Sequence, residues 1–213
     1  MNPQPLEPKI PAFESMTVRA FLDLLAAKTP APGGGAAASI VGAVSASLAA
    51  MVVNYSIGKK SLSQHVDALG SSRDRLKRAS DLMMRLADED AAAYGLVNEL
   101  SRLPDGDGRK AADLPAAQAA AVQIPLAVMA ACVDLLMLYR DLAVITNRQL
   151  RSDLGIAGVL AAAACESSWW NVAINAGFVA DERQRASWMA EARAMREQAM
   201  SLGGEVEAAC EED

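Results

Sequence analysis

Apolar residues recur along most of this 213-residue chain with the three- and four-residue spacing of an α-helix. The most regular stretch runs from about residue 64 to residue 103, where two heptad positions form neighbouring apolar seams. The first seam contains Leu69, Leu76, Met83, position 90 and Val97, and the second contains Ser72, Ala79, Leu86, Ala93 and Leu100. This pattern predicts one long helix that packs against partners along both seams.

Further helices are predicted from the same periodicity and from their end signals. Thr17 is placed to cap a first helix that ends by Lys28, and Gly58 to cap the end of a second. Ser152 and Asp153 mark another helix start, with an acidic residue in the first turn. The predicted helices cover 17–28, 36–57, 64–103, 113–150 with Pro125 kinking or dividing it, 152–177 and 181–202.

No segment alternates polar and apolar residues as a half-buried β-strand does. We therefore predict an all-α fold, a single-domain bundle of long helices over residues 15–213. Residues 1–14, which are rich in proline, are predicted to form a flexible N-terminal arm. Residues 29–35, with the sequence TPAPGGG, are predicted to form no regular element.

The composition determines the kind of core and excludes some partners. Hydrophobic residues make up 52% of the chain but aromatic residues only 4%, so the core must consist of Ala, Leu, Val and Met, which favours close helix packing. The net charge is -6, so nucleic acid is not expected as a partner. Three widely spaced cysteines, Cys132, Cys165 and Cys210, and the lack of a secretory signal predict a cytoplasmic protein with buried, reduced thiols.

Residues 36–57 carry no charge and are long enough to cross a bilayer. Ala, Gly and Ser dominate the segment, while Leu, Ile and Phe are scarce, so its transfer into lipid is weakly driven. We therefore expect a helix buried inside a soluble protein and no membrane partner.

One position in the first heptad seam contradicts the pattern. Asp90 stands where an apolar residue is predicted, and burying an ionised carboxylate is costly unless it is paired or hydrogen-bonded. Asp90 is therefore a candidate functional group. The alternatives are an Asp that bonds a neighbouring helix, or a seam that ends at a cleft. Asp88 and Glu89 fall off the seam and are predicted to be solvated.

The run Gly33, Gly34 and Gly35 is the second departure from the pattern. Three glycines allow backbone N–H groups to approach a ligand at the start of the following helix, where the helix dipole is positive. A tight turn between two closely packed helices is the alternative. The run is not a nucleotide-binding fingerprint, because no strand precedes it and the spacing differs.

Polar residues within or at the ends of apolar helices are the remaining candidates. Asn54 lies in the second predicted helix, shortly before Lys59 and Lys60, where cations complement the helix dipole and could meet an anionic ligand. Asn171 and Asn175 share one helical face, so their amides could read a heterocycle or cross-link helices.

The single histidine, His65, argues against a Ser-His-Asp triad and against a zinc site with histidine ligands. Proton transfer in an enzyme of this composition would use a carboxylate, a lysine or water.

Several short motifs occur together along the chain. They are TPAPGGGAAA (29–38), MVVNYSIGKK (51–60), DEDAAAY (88–94), IPL (124–126), Asn147, SDLGIAGV (152–159) and NVAIN (171–175). In this order they resemble the cyclodeaminase/cyclohydrolase family, which contains the C-terminal half of formiminotransferase-cyclodeaminase and the stand-alone methenyltetrahydrofolate cyclohydrolase of bacteria. The resemblance spans roughly residues 17–200.

The resemblance implies an all-helical, cytoplasmic homodimer with a folate cleft near the glycine run. It implies hydrolysis of 5,10-methenyltetrahydrofolate to formyltetrahydrofolate, with a tetrahydrofolate derivative as substrate and no tightly bound cofactor or metal. Asp90 is then the first candidate for catalysis and Asp153 the second, while Lys59 would polarise the developing oxygen or hold a folate carboxylate. The residues expected to bind substrate are Gly33, Gly34, Gly35, Asn54, Lys60, Asn147, Ser152, Asn171 and Asn175.

Other interpretations remain open at this point. A formiminotetrahydrofolate cyclodeaminase, which releases ammonia, handles the same bridge carbon. A folate-binding helical protein would keep the glycine run and the asparagines without turnover. A purely structural bundle would explain the Ala-rich composition but not Asp90 or the three glycines.

Overall fold

Six α-helices cover one another's apolar faces in the part of the chain that the structure describes. In the computed structural model, which describes residues 12–211, α1 spans Val18–Leu25, α2 Gly34–Ser56, α3 Val66–Ser101, α4 Gly108–Ala143, α5 Arg151–Ala176 and α6 Glu182–Glu211. Short 3-10 turns occur at Phe13–Ser15, Lys60–His65 and Arg148–Leu150. The described residues contain no strand, which confirms the predicted all-α class.

Helices α2 to α6 run alternately in opposite directions. Helices α2, α3, α4 and α5 form a ring in which α2 packs along both α3 and α5, and α6 covers α4 and α5 from outside. The antiparallel pairing of α2 and α5 is marked by Ser45, whose Oγ donates to the Ala157 carbonyl at 2.7 Å, and by Ser56, whose Oγ accepts from the Asn147 N–H at 2.9 Å. The start of α2 therefore lies beside the end of α5.

The core is made of small and aliphatic side chains, as the composition predicted. Alanines line the contact between α2 and α5 and allow the two backbones to approach closely; the buried ones are Ala43, Ala46, Ala49, Ala157, Ala161 and Ala164. Leu69, Leu76 and Met83 of α3 are fully buried, which confirms the first heptad seam.

Two of the predicted helix ends are confirmed. Thr17 Oγ1 accepts a hydrogen bond from the Ala20 N–H at 3.1 Å and caps α1. Gly58 follows the end of α2 with a φ of 85°, a conformation that glycine adopts without a steric penalty.

The prediction for α4 is wrong at its ends, and Pro125 does not divide the helix, while a kink at Pro125 stays a prediction. The helix begins at Gly108, continues through Pro125 without a break and ends at Ala143, well before residue 150. A proline removes one helical hydrogen bond, and here the side chain of Asn175 from α5 donates to the carbonyl that is left free.

The predicted end of α6 is also wrong, whereas the predicted start of α5 is right within one residue, with Asp153 in the first turn, and only its predicted cap is wrong. Helix α6 continues through Gly203 and Gly204 to Glu211. A Cβ at Gly203 would lie 3.4 Å from the Ala162 Cβ, so glycine keeps α6 close to α5. At the start of α5 the cap position belongs to Leu150, with no side-chain hydrogen bond, so Ser152 is not the cap.

The predicted arm and the predicted solvation of Asp88 need correction. Residues 1–11 of the arm lie outside the described residues. Phe13 is buried, and its N–H donates to Asp88 Oδ1 at 2.9 Å. Asp88 is therefore half-buried and anchors the start of the described chain to α3.

The cysteines and the apolar helices have the burial that a helical core requires. Cys132 and Cys165 are buried and Cys210 is half-buried, all with free thiols, and burial raises the pKa of Cys165 to about 12.

Helices α2 and α4 are long and apolar enough to span a bilayer, and 56% of the most apolar stretch of each is buried against other helices. Core helices of soluble proteins share these properties, so the absence of a membrane partner stays a prediction.

Candidate active site

The glycine run forms the N-terminus of α2 instead of a loop before it. Gly33 is the cap residue, and Gly34 and Gly35 lie in the first helical turn. The prediction that residues 29–35 contain no regular element is therefore wrong for the last two glycines. The Asp90 carboxylate occupies the space that a Cβ on Gly35 would need, which explains the requirement for glycine at this position.

Asp90 is half-buried on α3, with its carboxylate packed directly on Gly35. The Ala36 backbone N–H donates a hydrogen bond to this carboxylate from the first turn of α2, where the helix dipole favours negative charge. Burial raises the pKa of Asp90 above the ordinary value of an aspartate, and the hydrogen bond from Ala36 offsets only part of that effect. Asp90 is thus fixed in position, and it takes up a proton at a higher pH than a solvated aspartate does.

Asn171 and Asn175 of α5 lie on the same side of the bundle as the glycine run. A Cβ on Gly34 would be 3.7 Å from Asn171 Oδ1, so the Asn171 amide lies next to the first turn of α2. Asn175 is one turn further along, and its Nδ2 donates to the Ala121 carbonyl of α4 at 2.7 Å. Of the two roles considered for this pair, Asn175 shows the cross-link between helices. Asn171 borders the glycine run, and the reading of a heterocycle by these amides stays a prediction.

A cavity of about 340 Å³ lies next to this group, between the end of α3, the first half of α4 and the end of α5. Tyr94 lines it and is four residues from Asp90, so the two share one face of α3. Sequence reasoning missed Asn98, Gln118 and Phe178, which also line this cavity. Tyr94 could have been found from the i, i+4 spacing within DEDAAAY, but the other three come from separate helices with no distinguishing pattern.

The other predicted site residues lie at the opposite end of the bundle. We call the group Gly33, Gly34, Gly35, Asp90, Asn171 and Asn175 the glycine end. We call the group Asn54, Lys59, Lys60, Asn147, Ser152 and Asp153 the lysine end. Gly35 and Asn54 are separated by roughly 28 Å along α2, and Asp153 and Asn171 by roughly 27 Å along α5. One chain therefore does not bring the predicted residues together into a single site.

Residues of the lysine end are mostly accessible. Asn54, Lys60 and Ser152 are exposed, while Lys59 and Asp153 are half-buried. Asn54, expected within a buried helix, instead borders a surface groove of about 500 Å³ between α2 and α3. The Asn147 side chain accepts from the Gln149 N–H at 3.3 Å and caps the turn before α5.

Comparison with known proteins assigns this chain to a family. A sequence model described as formiminotransferase-cyclodeaminase matches residues 17–194, which is most of the chain and includes both ends of the bundle. The chain belongs to the formiminotransferase-cyclodeaminase family. The family resemblance carried by the ordered motifs is thereby confirmed.

Individual relatives within the formiminotransferase-cyclodeaminase family agree with this assignment. The chain is 34% identical to a methenyltetrahydrofolate cyclohydrolase of Methylorubrum extorquens over 167 residues, which cover 75% of this chain and 79% of that protein. It is 29% identical to the formimidoyltransferase-cyclodeaminase of Sus scrofa over 79% of this chain, but this match covers only 32% of the pig protein. The chain thus spans about a third of the pig protein and most of the bacterial one.

A solved structure in the formiminotransferase-cyclodeaminase family has the same fold. The crystal structure of formiminotetrahydrofolate cyclodeaminase from Thermotoga maritima superposes with a TM-score of 0.86 and 28% sequence identity, covering 93% of this chain and 97% of that one. Among residues 12–211 of the present chain, no group of three or more His, Cys, Asp or Glu side chains is arranged to hold a metal ion. The ionisable group that borders the glycine run is Asp90.

Proposed function

We propose that this protein is a methenyltetrahydrofolate cyclohydrolase, which hydrolyses 5,10-methenyltetrahydrofolate to formyltetrahydrofolate. The observation that carries the proposal is the half-buried Asp90 carboxylate, which is fixed against Gly35 and the Ala36 N–H beside a cavity of small-molecule size. The relative from Methylorubrum extorquens, which carries this activity in its name, supports the choice of substrate.

The reaction requires a base and a group that stabilises positive charge. The substrate carries a cationic amidinium bridge between N5 and N10, and water must add to the bridge carbon. An ionised Asp90 stabilises the cation and accepts a proton from the attacking water, which adds to the bridge carbon as a hydroxyl. The adduct then collapses: Asp90 returns its proton to the leaving nitrogen, one C–N bond breaks, and the hydroxyl releases its proton to solvent as the formyl C=O forms. The step changes no oxidation state, so a carboxylate and water are sufficient, and we propose no tightly bound cofactor.

Formiminotetrahydrofolate cyclodeaminase is the second candidate activity. The structural similarity to the enzyme from Thermotoga maritima favours it, since that protein shares the fold over nearly its whole length. In this reaction N10 attacks the formimino carbon and ammonia leaves, so the same carboxylate would move the protons.

The two activities are separated by a spectrophotometric assay of the purified protein. We expect loss of the methenyltetrahydrofolate absorbance at a rate proportional to protein concentration, with little ammonia release from formiminotetrahydrofolate. Ammonia release in place of hydrolysis would shift the assignment to the cyclodeaminase. A rise in Tm with folate but no turnover of either substrate would leave only a folate-binding protein.

The homodimer expected from the resemblance is also part of the proposal. The outer faces of α5 and α2 carry exposed apolar side chains at helical spacing, which are Ile156, Val159, Trp170 and Ile174 on α5 and Val44 and Tyr55 on α2. Trp170 is 61% exposed and Ile174 64% exposed, and solvated surfaces rarely concentrate such residues on neighbouring helices. A second copy of the chain is the partner that we propose for this surface.

A two-fold axis across the α2–α5 surface would bring the glycine end of one chain to the lysine end of the other. The glycine end and the lysine end lie at opposite ends of α2 and α5, so a two-fold axis perpendicular to these helices would place the glycine end of one chain beside the lysine end of the other. Two equivalent sites would then form, each with Asp90 from one protomer and Lys59 from its partner. Lys59 would hold a folate carboxylate or polarise the developing oxygen at such a site, and Asp153 would be the second acidic group.

Mixing two inactive variants tests the composite site. Asp90→Asn and Lys59→Ala are each expected to lose activity, and co-refolding them in equal amounts should restore about a quarter of the wild-type sites, because only heterodimers contain one intact pair. Co-refolding each variant with itself is the control. No recovery from a mixture that sedimentation shows to be dimeric would mean that each chain carries its own complete site.

The remaining parts of the proposal concern location and partners. The free thiols of Cys132, Cys165 and Cys210 support a reducing, cytoplasmic location. The net charge of -6 supports the absence of a nucleic-acid partner.

A further inference from the structure

We propose that the cavity next to Asp90 binds the planar heterocycle of the substrate, and that Pro125 acts as a positioning residue for this subsite. The inference rests on the proposed folate chemistry and assigns specificity to residues that the motifs did not indicate.

The cavity exists because the helices differ in length. Helices α3 and α4 have 36 residues each, whereas α2 has 23 and begins beside Asp90. Val97 and Ser101 continue the face of α3 on which Asp90 lies, but they extend beyond the start of α2 and so lose its cover. The cavity therefore lies beyond the start of α2, and its lining begins at Tyr94, one helical turn along α3 from Asp90.

The lining of the cavity suits an uncharged ring with hydrogen-bonding edges. Tyr94 and Phe178 are 48% and 62% exposed and offer flat apolar surfaces for stacking. None of the described residues that line the cavity is charged, which favours a heterocycle over the anionic glutamate tail. The half-buried amides of Asn98 and Gln118 make no hydrogen bond with any residue in the described part of the chain. Unused amides can pair with the donors and acceptors on the edge of a pterin.

Asn175 supplies a third amide to the cavity. It is held in place because Pro125 has no N–H and leaves a backbone carbonyl free to accept from Asn175. In a regular helix the N–H of residue 125 would donate to the carbonyl of Ala121, but proline has no N–H. Asn175 Nδ2 takes the place of the missing donor and bonds this carbonyl at 2.7 Å. The bond satisfies the orphan carbonyl, which lets α4 continue through Pro125, and it leaves Asn175 Oδ1 as an acceptor for a ligand in the cavity.

Replacing Pro125 tests this arrangement without removing any side chain that lines the cavity. In Pro125→Ala the new N–H competes with Asn175 for the Ala121 carbonyl and weakens the hold on the amide. We expect the Tm to be equal or higher, the KM for methenyltetrahydrofolate to rise about five- to tenfold, and kcat to stay within about twofold. Calorimetric binding of 5-formyltetrahydrofolate, a folate that needs no turnover, should weaken by the same factor.

Pro115→Ala is the matched control, because it also replaces a proline inside α4 with a residue that has an N–H, but the carbonyl that this N–H would reach belongs to the exposed Ala111, away from the cavity. It should change the Tm in the same direction as Pro125→Ala and leave KM unchanged. Asn98→Leu tests the cavity independently of α4, and since Asn98 has no hydrogen bond to lose within the described chain, we expect a KM effect without loss of stability.

The possible results separate this inference from the proposed function. Unchanged KM and unchanged 5-formyltetrahydrofolate affinity in both Pro125→Ala and Asn98→Leu, with an active wild-type protein, would overturn the subsite alone. A wild-type protein that neither binds 5-formyltetrahydrofolate nor turns over either substrate would remove the proposed function and the subsite together. A weaker Pro125→Ala fold with normal KM would show that the Asn175 bond serves only stability.

Discussion

The variant Asp90→Asn is expected to lower kcat about a hundred- to ten-thousand-fold, the range associated with loss of a general base. The Asn side chain keeps the shape of Asp90 and can still accept the hydrogen bond from the Ala36 N–H, so the variant should fold. It has no carboxylate to stabilise the amidinium or to accept a proton from water. The measurement is kcat and KM for methenyltetrahydrofolate, with KM changing much less than kcat.

The matched control is Glu89→Gln, which removes the same charge from the neighbouring, exposed position on α3. It should retain normal turnover, which would exclude an effect of net charge. If Asp90→Asn turned over within a few-fold of the wild type while folded, Asp90 would have no catalytic role.

The pH dependence of the wild-type protein follows from the direction of the Asp90 pKa shift. Burial raises this pKa, so the carboxylate becomes protonated, and inactive as a base, at a higher pH than an ordinary aspartate would. The acid limb of kcat/KM should therefore lie above the normal aspartate range.

The same shift in the Asp90 pKa means that folding favours the protonated form, so Asp90 lowers stability as pH rises through its folded-state pKa. Asp90→Asn should thus be as stable as wild type in acid and at least as stable at neutral pH.

The variant Gly35→Ala is expected to reduce kcat/KM at least about a hundredfold while lowering stability by about 1–3 kcal/mol. The added Cβ would overlap all three carboxyl atoms of Asp90, which real Cβ atoms do not do. The Asp90 side chain must rotate away, and it then loses the hydrogen bond from the Ala36 N–H. Activity should suffer more than the fold, because the group that moves is the end of a side chain and not backbone.

Two comparisons isolate this steric effect. Gly70→Ala, also within a helix, places its Cβ in open space and should be neutral or slightly stabilising with normal turnover. Adding Gly35→Ala to Asp90→Asn should reduce activity little further, because both changes act on the same carboxylate. Fully additive losses would mean that Gly35 contributes to catalysis by a route that does not involve Asp90.

Local chemistry was sufficient to predict most helices, because their end signals act over a few residues. Thr17 caps α1, Gly58 takes the positive φ after α2, and Leu69, Leu76 and Met83 are buried as their spacing requires. Two of the errors occurred where a partner helix compensates for a poor helix former. Pro125 is tolerated because Asn175 bonds the carbonyl it leaves free, and Gly203 because close contact with Ala162 needs a small residue.

The sequence by itself determined the all-α class, the aliphatic core and Asp90 as the polar residue out of place in a seam, since each follows from periodicity and residue type. Only the tertiary structure decided which candidates lie together. Asp90, Gly35 and Asn171 meet because α3 and α5 both run antiparallel to α2. Asn54 and Lys59 lie at the far end because a straight helix of 23 residues separates them from the glycines. The distance between residues on different helices depends on helix direction and packing, which no local pattern encodes.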